Sequence, residues 1–415
     1  MLPIATDSTT TPSLSGGSDL RPAGAAGSSA ATTTSPDARP VLDFPPTDGT
    51  MVHLAIGTLA LESGDQLPDV TVAVQCWGEP SPELDNIVLI EHALTGDSHV
   101  VGPADDVHPT PGWWEGMVGP GAPIDTDEWC VLVTNVLGSC RGTTGPASTA
   151  PDGQAWGSRF PAISVRDQVE TERVLADKLG IDRFAAVVGG SLGGMRALEW
   201  IIGHPDRIAS ALLLAVSPRA TADQIGGHTA QIDVIAADVN WHGGDYYGTG
   251  TSPDNGLNIA RRFAHLTYRG AAALDDQFEN AAQKGEDIWN GGRYAVHSYL
   301  DYCANKLVAT FDAGSFVALT HCANKHDVGR GRGGIAAALS STAVPTIVGA
   351  IDSDRIMPLH QIVEMAELLP GCDGTRIVNS PAGHDGFLTE VDWVTSLVDE
   401  TLTLARASRV NTAVA

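Results

Sequence analysis

The stretch FAAVVGGSLGGM, residues 184–195, decides the fold. Its apolar first part, FAAVV, predicts a buried strand, and a helix is predicted to follow over Met195–Gly203. The turn between them has the pattern G-x-S-x-G, with Gly189 and Gly193 on either side of Ser191. In so tight a connection, a side chain at either glycine collides with the neighbouring strand or helix. We therefore predict that Ser191 is an exposed nucleophile; the alternative is a glycine-rich packing turn with an inert serine.

Other continuous apolar runs precede and follow this stretch, and helical patterns lie between several of them. Strands that alternate with helices predict an α/β fold, in which a mostly parallel sheet carries helices on both faces. One clear helical pattern covers Val165–Leu179. The predicted strands are Val52–Leu59, Val70–Trp77, Asn86–Glu91, Trp129–Asn135, Phe184–Val188, Ala211–Val216, Pro345–Ala350 and Thr375–Val378.

The series of strands is interrupted over residues 217–342, where we find only helical patterns. These patterns cover Asp233–Asp238, Asn258–Thr267, Gly292–Asn305 and Gly334–Ser340. We interpret residues 217–342, the helical insertion, as a lid between two parts of one α/β core.

The remaining boundaries follow from composition. The two core parts are predicted to be residues 45–216 and 343–405. Residues 1–44 are rich in Ser, Thr, Ala, Gly and Pro and are predicted to be a disordered tail, since they offer too little apolar surface to bury. A second tail is predicted at residues 406–415.

Charge and composition exclude several classes of protein. The chain has 415 residues, with 24 Lys and Arg against 50 Asp and Glu, so its formal net charge is −26. That balance argues against binding nucleic acid or an anionic membrane surface, because both need a basic face. No apolar stretch reaches the roughly 20 residues that span a bilayer. The six cysteines form no CxxC pair or metal-like cluster, so we expect reduced thiols, no bound metal and a cytoplasmic location.

A nucleophilic serine needs a base and an acid, which in this architecture follow it in the order Asp or Glu, then His. His384 comes after the last predicted strand and is our candidate base. Asp352 and Asp354 both follow the strand before it, and spacing alone does not choose between them.

The oxyanion of an acyl-transfer reaction needs two N–H donors. One is the amide of Leu192, directly after the nucleophile. The second is expected from a loop after an earlier strand, where the chain reads HALTGDSH at 92–99, and Leu94 is our candidate. The alternative is that this segment is only a turn.

At this point the chain resembles the homoserine O-acetyltransferases of the α/β-hydrolase superfamily, over residues 48–405. The resemblance implies the α/β-hydrolase fold and makes Asp354 the acid. One segment departs slightly from the family, since GSCRGTTGP stands at 138–146 where GGCRGSTGP is expected. The resemblance rests on HALTGDSH at 92–99, PGWWEGMVGPGAPIDTDEW at 111–129, NVLGSCRGTTGP at 135–146, WGSRFPAISVRDQV at 156–169, VVGGSLGGMRALEW at 187–200, ARRFAHLTYRG at 260–270, DAGSF at 312–316, HDVGRGRGG at 326–334, DSDRIMP at 352–358 and GHDGFL at 383–388.

The resemblance implies transfer of an acetyl group from acetyl-CoA to the hydroxyl of L-homoserine, through an acetyl-serine intermediate and with ping-pong kinetics, in methionine biosynthesis. No permanently bound cofactor is implied. Arg261 is implied for the carboxylate of homoserine and Asp385 for its ammonium group, with Tyr268 and Thr95 also lining the site. A homodimer formed through the helical insertion is implied as well.

Several alternatives stay open at this stage. Succinyl-CoA as donor or serine as acceptor fits the same family, and a serine esterase or thioesterase, or a binding protein without activity, fits the same fold. The phosphates of CoA need local positive charge, for which Arg330 and Arg332 are candidates. The alternative for these two arginines is a glycine-rich turn with surface charges.

Overall fold

The computed structural model describes residues 42–414. Residues 1–41, nearly all of the predicted N-terminal tail, lie outside the described residues. Residues 42–44 belong to the folded part rather than to a tail, since the Leu42 amide donates to the carbonyl of Lys178 at 3.0 Å and Phe44 packs on the core. Among the described residues, no helix combines the length and the apolar character that crossing a membrane requires.

An eight-stranded sheet forms the centre of the described part of the chain, in the order β1-β2-β6-β3-β7-β8-β9-β10. The pairings of β2 with β1 and with β6 are antiparallel, and all the others are parallel. The strands are β1 (Val52–Ala60), β2 (Gln66–Trp77), β3 (Ile87–Glu91), β6 (Cys130–Thr134), β7 (Ala186–Gly190), β8 (Ala211–Leu214), β9 (Thr346–Ile351) and β10 (Thr375–Val378), while β4 (Val118–Gly119) and β5 (Ile124–Asp125) form a separate pair. The predicted α/β fold class is confirmed.

The central strands read as continuous apolar runs because both faces of the sheet are covered. In β3, Ile87 and Leu89 pack into one hydrophobic core, whereas Val88 and Ile90 pack into a second core on the other face. All five residues of β3 are buried. A strand buried on both faces does not alternate between polar and apolar residues. The apolar run therefore identifies the strand, but it does not show which face of the sheet each side chain lies on.

The helices cover both faces of the sheet and fill the insertion. In α1, Ser164 and Asp167 form a reciprocal capping box, and Gly180 ends the helix with a φ of 77°. The helices are α1 (Val165–Leu179), α2 (Leu192–Gly203), α3 (Ala222–Ala236), α4 (Asp254–Tyr268), α5 (Ala271–Phe278), α6 (Ala295–Val308), α7 (Ala313–Asn324), α8 (Ile335–Ser340), α9 (Leu359–Leu368), α10 (Gly386–Thr389) and α11 (Val391–Val414).

The segment between β8 and β9 is helical, as predicted, and consists of α3 to α8. Its main packing pairs are α3 with α4, α4 with α6, and α3 with α7. Helix α7 was not predicted from the sequence. Small and apolar residues occupy most of its positions, so its sequence has no polar face to reveal a helical period. Its N-cap, Asp312, which accepts from the amide of Ser315 at 2.7 Å, was the available signal. That the segment acts as a lid stays a prediction.

The predicted C-terminal tail at 406–415 is wrong, because α11 continues through it to Val414. Two ion pairs fix this last part of the helix to the core: Arg406 with Glu128 and Arg409 with Asp85, at 2.6 and 2.9 Å. Residues 406–415 include three alanines and no leucine, isoleucine or aromatic side chain, a composition that resembles a tail, but Arg406 and Arg409 pair with carboxylates that are distant in sequence.

The parallel strands bring four loops to one edge of the sheet. Ser191 follows β7, His92 follows β3, Asp354 follows β9 and His384 follows β10. The carboxyl ends of parallel strands meet at the same edge, which is where open α/β sheets bind ligands.

Candidate active site

Ser191 occupies a strained turn between β7 and α2, with φ 58° and ψ −122°. A non-glycine residue in this region costs about 1–3 kcal/mol. A Cβ atom at Gly189 would lie 2.3 Å from the carbonyl oxygen of Gly193, and a Cβ at Gly193 only 1.9 Å from that of Glu91. Both glycines are therefore required by the close approach of β3, β7 and α2, as the pattern predicted.

The structure brings Ser191, His384 and Asp354 together. The Nε2 atom of His384 lies 2.8 Å from Ser191 Oγ, and its Nδ1 atom lies 2.7 Å from Asp354 Oδ2. The other carboxylate oxygen of Asp354 accepts from the amides of Ile356 and Met357. With the Nδ1 proton directed at Asp354, Nε2 is free to accept the serine proton.

Asp352 does not contact the histidine. Its carboxylate instead accepts from the side-chain amide of Asn379 at 2.7 Å and from the backbone amide of Ser380 at 3.0 Å. The neighbouring Ser353 hydroxyl contacts the Ser380 carbonyl and accepts from the amide of Gly383. These bonds join the loop that carries Asp354 to the loop that carries His384.

The surroundings of His384 set its pKa. Burial lowers the pKa of the imidazole, but the charge and the hydrogen bond of Asp354, together with the charge of Asp385, outweigh burial and raise it above the ordinary value of 6.5. Only the neutral imidazole accepts a proton. The reactivity of Ser191 should therefore increase as the pH rises through the pKa of His384 and then level off.

Removal of the Asp385 charge should shift this pH dependence. We expect Asp385→Asn to lower the pKa of His384, because a contribution that raises it is lost, and so to move the midpoint of Ser191 acylation to lower pH. The burst of p-nitrophenol from p-nitrophenyl acetate, followed from pH 5 to 9, measures this midpoint without a natural substrate. Asp392→Asn, at an exposed position of α11, is the control. A midpoint that stays in place or rises in Asp385→Asn contradicts the assignment.

Arg261 and Tyr268, which are seven residues apart, lie on one face of α4. The Arg261 Nη1 atom is 3.4 Å from the Tyr268 hydroxyl, and the guanidinium carbon is 5.1 Å from the ring centre. The Tyr268 ring in turn lies 6.2 Å from the imidazole of His384. Burial raises the pKa of Tyr268, the Arg261 charge opposes this, and the Asp385 charge adds to it. The structure thus gathers a cation, a phenol and an anion beside the base.

A cavity of about 310 Å³ adjoins this group. It is lined by Thr95 and Arg261, together with Arg141, His265 and Lys306. Asp97 also lines the cavity and lies 3.8 Å from Arg141, so the net positive charge of the wall comes from Arg261 and Lys306.

Arg330 and Arg332, the candidates for binding phosphate, are paired with carboxylates instead. Arg330 pairs with Glu62 at 2.9 Å and Arg332 with Glu199 at 2.7 Å. The structure thus favours the interpretation of this segment as a structural turn.

A buried polar group that was not predicted from the sequence lies beneath the site. Arg196 on α2 contacts Glu91 and Glu172, and its guanidinium also donates to the carbonyl of His92. A charged residue within an otherwise apolar run was the available signal, as in NIVLIE for Glu91 and MRALEW for Arg196. Among residues 42–414, no group of three or more His, Cys, Asp and Glu side chains is arranged to hold a metal ion.

Comparison with known proteins identifies the fold family and the relatives of this chain. The sequence profile of the α/β-hydrolase fold family matches residues 86–391. The chain is 63% identical to a homoserine O-acetyltransferase of Nocardia farcinica over 366 residues, which are 88% of this chain and 96% of the relative. It is 60% identical to one of Mycobacterium marinum, over 88% of this chain and 97% of that protein.

Solved structures show the same fold at low sequence identity. A homoserine O-acetyltransferase from Bacillus anthracis superimposes with a TM-score of 0.77 at 22% identity, over 85% of this chain and 97% of that one. An acetylester hydrolase from Corynebacterium glutamicum gives a TM-score of 0.73 at 23% identity, over 85% and 96%. Transferases and esterases thus share this architecture, and the high-identity relatives decide between them: the chain belongs to the homoserine O-acetyltransferase family of the α/β-hydrolase fold.

Proposed function

We propose that this protein transfers an acetyl group from acetyl-CoA to the side-chain hydroxyl of L-homoserine, giving O-acetyl-L-homoserine and CoA in methionine biosynthesis. The observation that carries the proposal is the cation and anion pair, Arg261 and Asp385, placed around Tyr268 beside the Ser191 and His384 pair. A plain hydrolase has no need of two opposite charges at its acceptor side. We place the reaction in the cytoplasm, consistent with six unpaired cysteines.

The first half of the reaction acylates the enzyme. Ser191 Oγ attacks the thioester carbonyl while His384 takes the serine proton, and the amides of Leu94 and Leu192 bind the oxyanion. When the tetrahedral intermediate collapses, the carbon–sulfur bond breaks and His384 protonates the leaving thiolate. The products of this half are acetyl-Ser191 and free CoA.

The second half transfers the acetyl group. The homoserine hydroxyl attacks the acetyl carbonyl, and His384 accepts the hydroxyl proton and returns it to Ser191 Oγ as the ester bond to the enzyme breaks. Two half-reactions through a covalent intermediate give ping-pong kinetics. Every proton passes through the one imidazole, so the reaction needs no bound cofactor.

Recognition of homoserine follows from its two charges. The planar guanidinium of Arg261 matches a carboxylate bidentately, and the Asp385 carboxylate accepts from the ammonium group. Tyr268 and Thr95 supply further hydrogen bonds. We expect serine to be the poorer acceptor, because its side chain is one methylene shorter and carries the hydroxyl less far from these anchors.

We place the acyl donor in the cavity lined by Thr95, Arg141 and Lys306, which is continuous with the residues around Arg261. Arg141 is partly neutralised by Asp97 at 3.8 Å, so Arg261 and Lys306 are the side chains that offset the long-range repulsion that a chain of net charge −26 exerts on a polyphosphate. Arg330 and Arg332 are engaged by carboxylates and take no part in this proposal.

The assembly that we propose is a homodimer formed through the helical insertion. Large apolar side chains are exposed there: 47% for Phe263 and 68% for Tyr302. Ile259 and Leu266, on the same helix as Phe263, are also exposed. Ile259, Phe263 and Leu266 are spaced to share one face of α4, and exposed apolar surface of this kind is typical of an interface with another chain.

The donor and the acceptor are tested together by release of CoA, detected with a thiol reagent. We expect sustained release from acetyl-CoA only when homoserine is present, because the acceptor site rather than water resolves acetyl-Ser191. Succinyl-CoA and serine, exchanged for the natural partners one at a time, are expected to give much slower release. Sustained release without homoserine would instead show a thioesterase.

Arg261→Leu separates the two half-reactions. We expect the single burst of CoA from acetyl-CoA to persist, while KM for homoserine rises roughly 100-fold, since a desolvated charge-assisted contact is lost. Arg262→Leu is the matched control, because Arg262 pairs with Asp301 at 2.6 Å. If both substitutions raised KM for homoserine equally, the assignment of Arg261 to the acceptor site would be wrong.

A further inference from the structure

The loop that carries the Leu94 amide is held from beneath by a buried guanidinium. Arg196 lies on α2, just beyond Ser191, and its side chain is fully buried. One nitrogen lies 2.6 Å from Glu172 and also contacts Glu91, and the other donates to the His92 carbonyl at 2.9 Å. Arg196 therefore connects the helix that carries one oxyanion donor to the loop that carries the other.

His92 continues this connection through its ring. Its Nε2 atom accepts from the amide of Val136 at 3.0 Å, so the proton is on Nδ1, which donates to the carbonyl of Ala93 at 2.7 Å. Burial, with the charge of Arg196, lowers the pKa of His92 to about 3, so the ring is neutral at working pH. A neutral ring is required, because Nε2 must keep its lone pair for Val136.

The carbonyl of Ala93 and the N–H of Leu94 belong to one peptide group. That group is planar and trans, so the two bonds point in opposite directions. The Ala93 oxygen also accepts from the amide of Gly96 at 2.9 Å. With the oxygen held by two donors, the direction of the Leu94 N–H is fixed without any contact to that N–H itself.

We propose that His92 is a positioning residue that directs the Leu94 amide at the oxyanion, and that Arg196 holds His92 in place. The proposal rests on the proposed function for the role of Leu94, and on the hydrogen bonds above for the mechanism. Both side chains are fully buried, so each acts through the oxyanion loop rather than by binding substrate.

The charge balance of the group agrees with a fixed, structural role. Glu91 and Glu172 face one guanidinium, and burial, with the nearby Glu172, raises the pKa of Glu91 well above its usual range. Glu172 is additionally held by Thr134 and by Trp200, each at 3.0 Å. The guanidinium is thus held by two buried carboxyl groups, of which Glu172 is itself fixed by two further donors.

The test compares His92→Leu with His92→Asn. Asparagine keeps a donor near the position of Nδ1, whereas leucine keeps none. We expect the rate of Ser191 acylation by p-nitrophenyl acetate to fall about 10- to 100-fold in His92→Leu, which is part of the effect of losing one oxyanion donor. In His92→Asn the same rate should stay within about fivefold of the wild-type rate. Acyl transfer to homoserine should show the same loss in kcat with KM changed less than twofold, and the pH midpoint set by His384 should stay in place.

Arg196→Lys is the second variant. The planar guanidinium of arginine donates to the carboxylates from one nitrogen and to the His92 carbonyl from the other, and the single ammonium group of lysine cannot reproduce this arrangement. We expect roughly a tenfold loss in kcat. Arg166→Lys is its control, since Arg166 makes comparable contacts to Glu62 and Glu199 away from the oxyanion loop, and it should lower the melting temperature without a loss in kcat.

Three results would overturn the proposal: a folded His92→Leu that acylates within twofold of the wild type, a His92→Asn as impaired as His92→Leu, or an Arg196→Lys that keeps full kcat. The readout with p-nitrophenyl acetate needs neither CoA nor homoserine. The proposal can therefore fail while homoserine-dependent transfer persists, and it can hold in a protein that proves to be an esterase.

Discussion

Ser191→Ala should fold normally and lose turnover by a factor of about 10⁵, because nothing else in the site can form the acyl-enzyme. Alanine keeps the strained backbone of the turn and removes only the hydroxyl, which lies 2.8 Å from His384 Nε2. The melting temperature should therefore change little, while the release of CoA in the presence of homoserine disappears.

The measurement combines steady-state rates with covalent labelling. A fluorophosphonate should modify the wild-type protein at Ser191 and leave Ser191→Ala unmodified. Ser340→Ala, at an exposed position of α8, controls for the loss of a serine hydroxyl. Residual turnover within tenfold of the wild type would mean that direct transfer between the bound substrates replaces the covalent route.

Asp354→Asn should lower kcat by about 10⁴-fold. One oxygen of Asp354 accepts from two backbone amides and is fixed as an acceptor, so the amide NH₂ of asparagine must face His384. Nδ1 must then accept a hydrogen bond, which moves the imidazole proton to Nε2. In that tautomer the imidazole cannot accept the proton of Ser191.

Asp352→Asn is the matched control, two residues away in the same loop. Its carboxylate contacts Asn379 and Ser380 rather than the imidazole, so we expect a loss of no more than about tenfold, through slight movement of the loop that carries His384. Rates measured with homoserine and with p-nitrophenyl acetate should show the same order. If Asp352→Asn proves the more damaging variant, the acid has been misassigned.

The sequence determined the nucleophile turn because steric contact there leaves no choice. Two glycines four residues apart are needed when β3, β7 and α2 meet so closely that a Cβ has no room. The acid was harder, since Asp352 and Asp354 both follow the same predicted strand, Asp352 slightly nearer to its end, and spacing did not choose between them. Their different partners depend on the path of one loop, which no local pattern encodes.

The parts that sequence reasoning missed depend on contacts between distant residues. The last turns of α11 are held by Arg406 and Arg409, whose partners precede them by 278 and 324 residues. His92 showed only as one residue of a family motif, because its role needs both the Val136 amide and the neighbouring carbonyl to be in place.

The helical insertion separates Ser191 in the chain from the two residues that activate it, and His384 comes 193 residues after Ser191. At a synthesis rate of roughly 5–20 residues per second, a ribosome takes on the order of 10–40 s to cover that distance. During this interval the nascent chain contains the nucleophile turn without its base. If His384 is the base, as proposed, Ser191 stays unactivated during this interval, and we expect a truncated translation product that ends before residue 384 to release no CoA from acetyl-CoA.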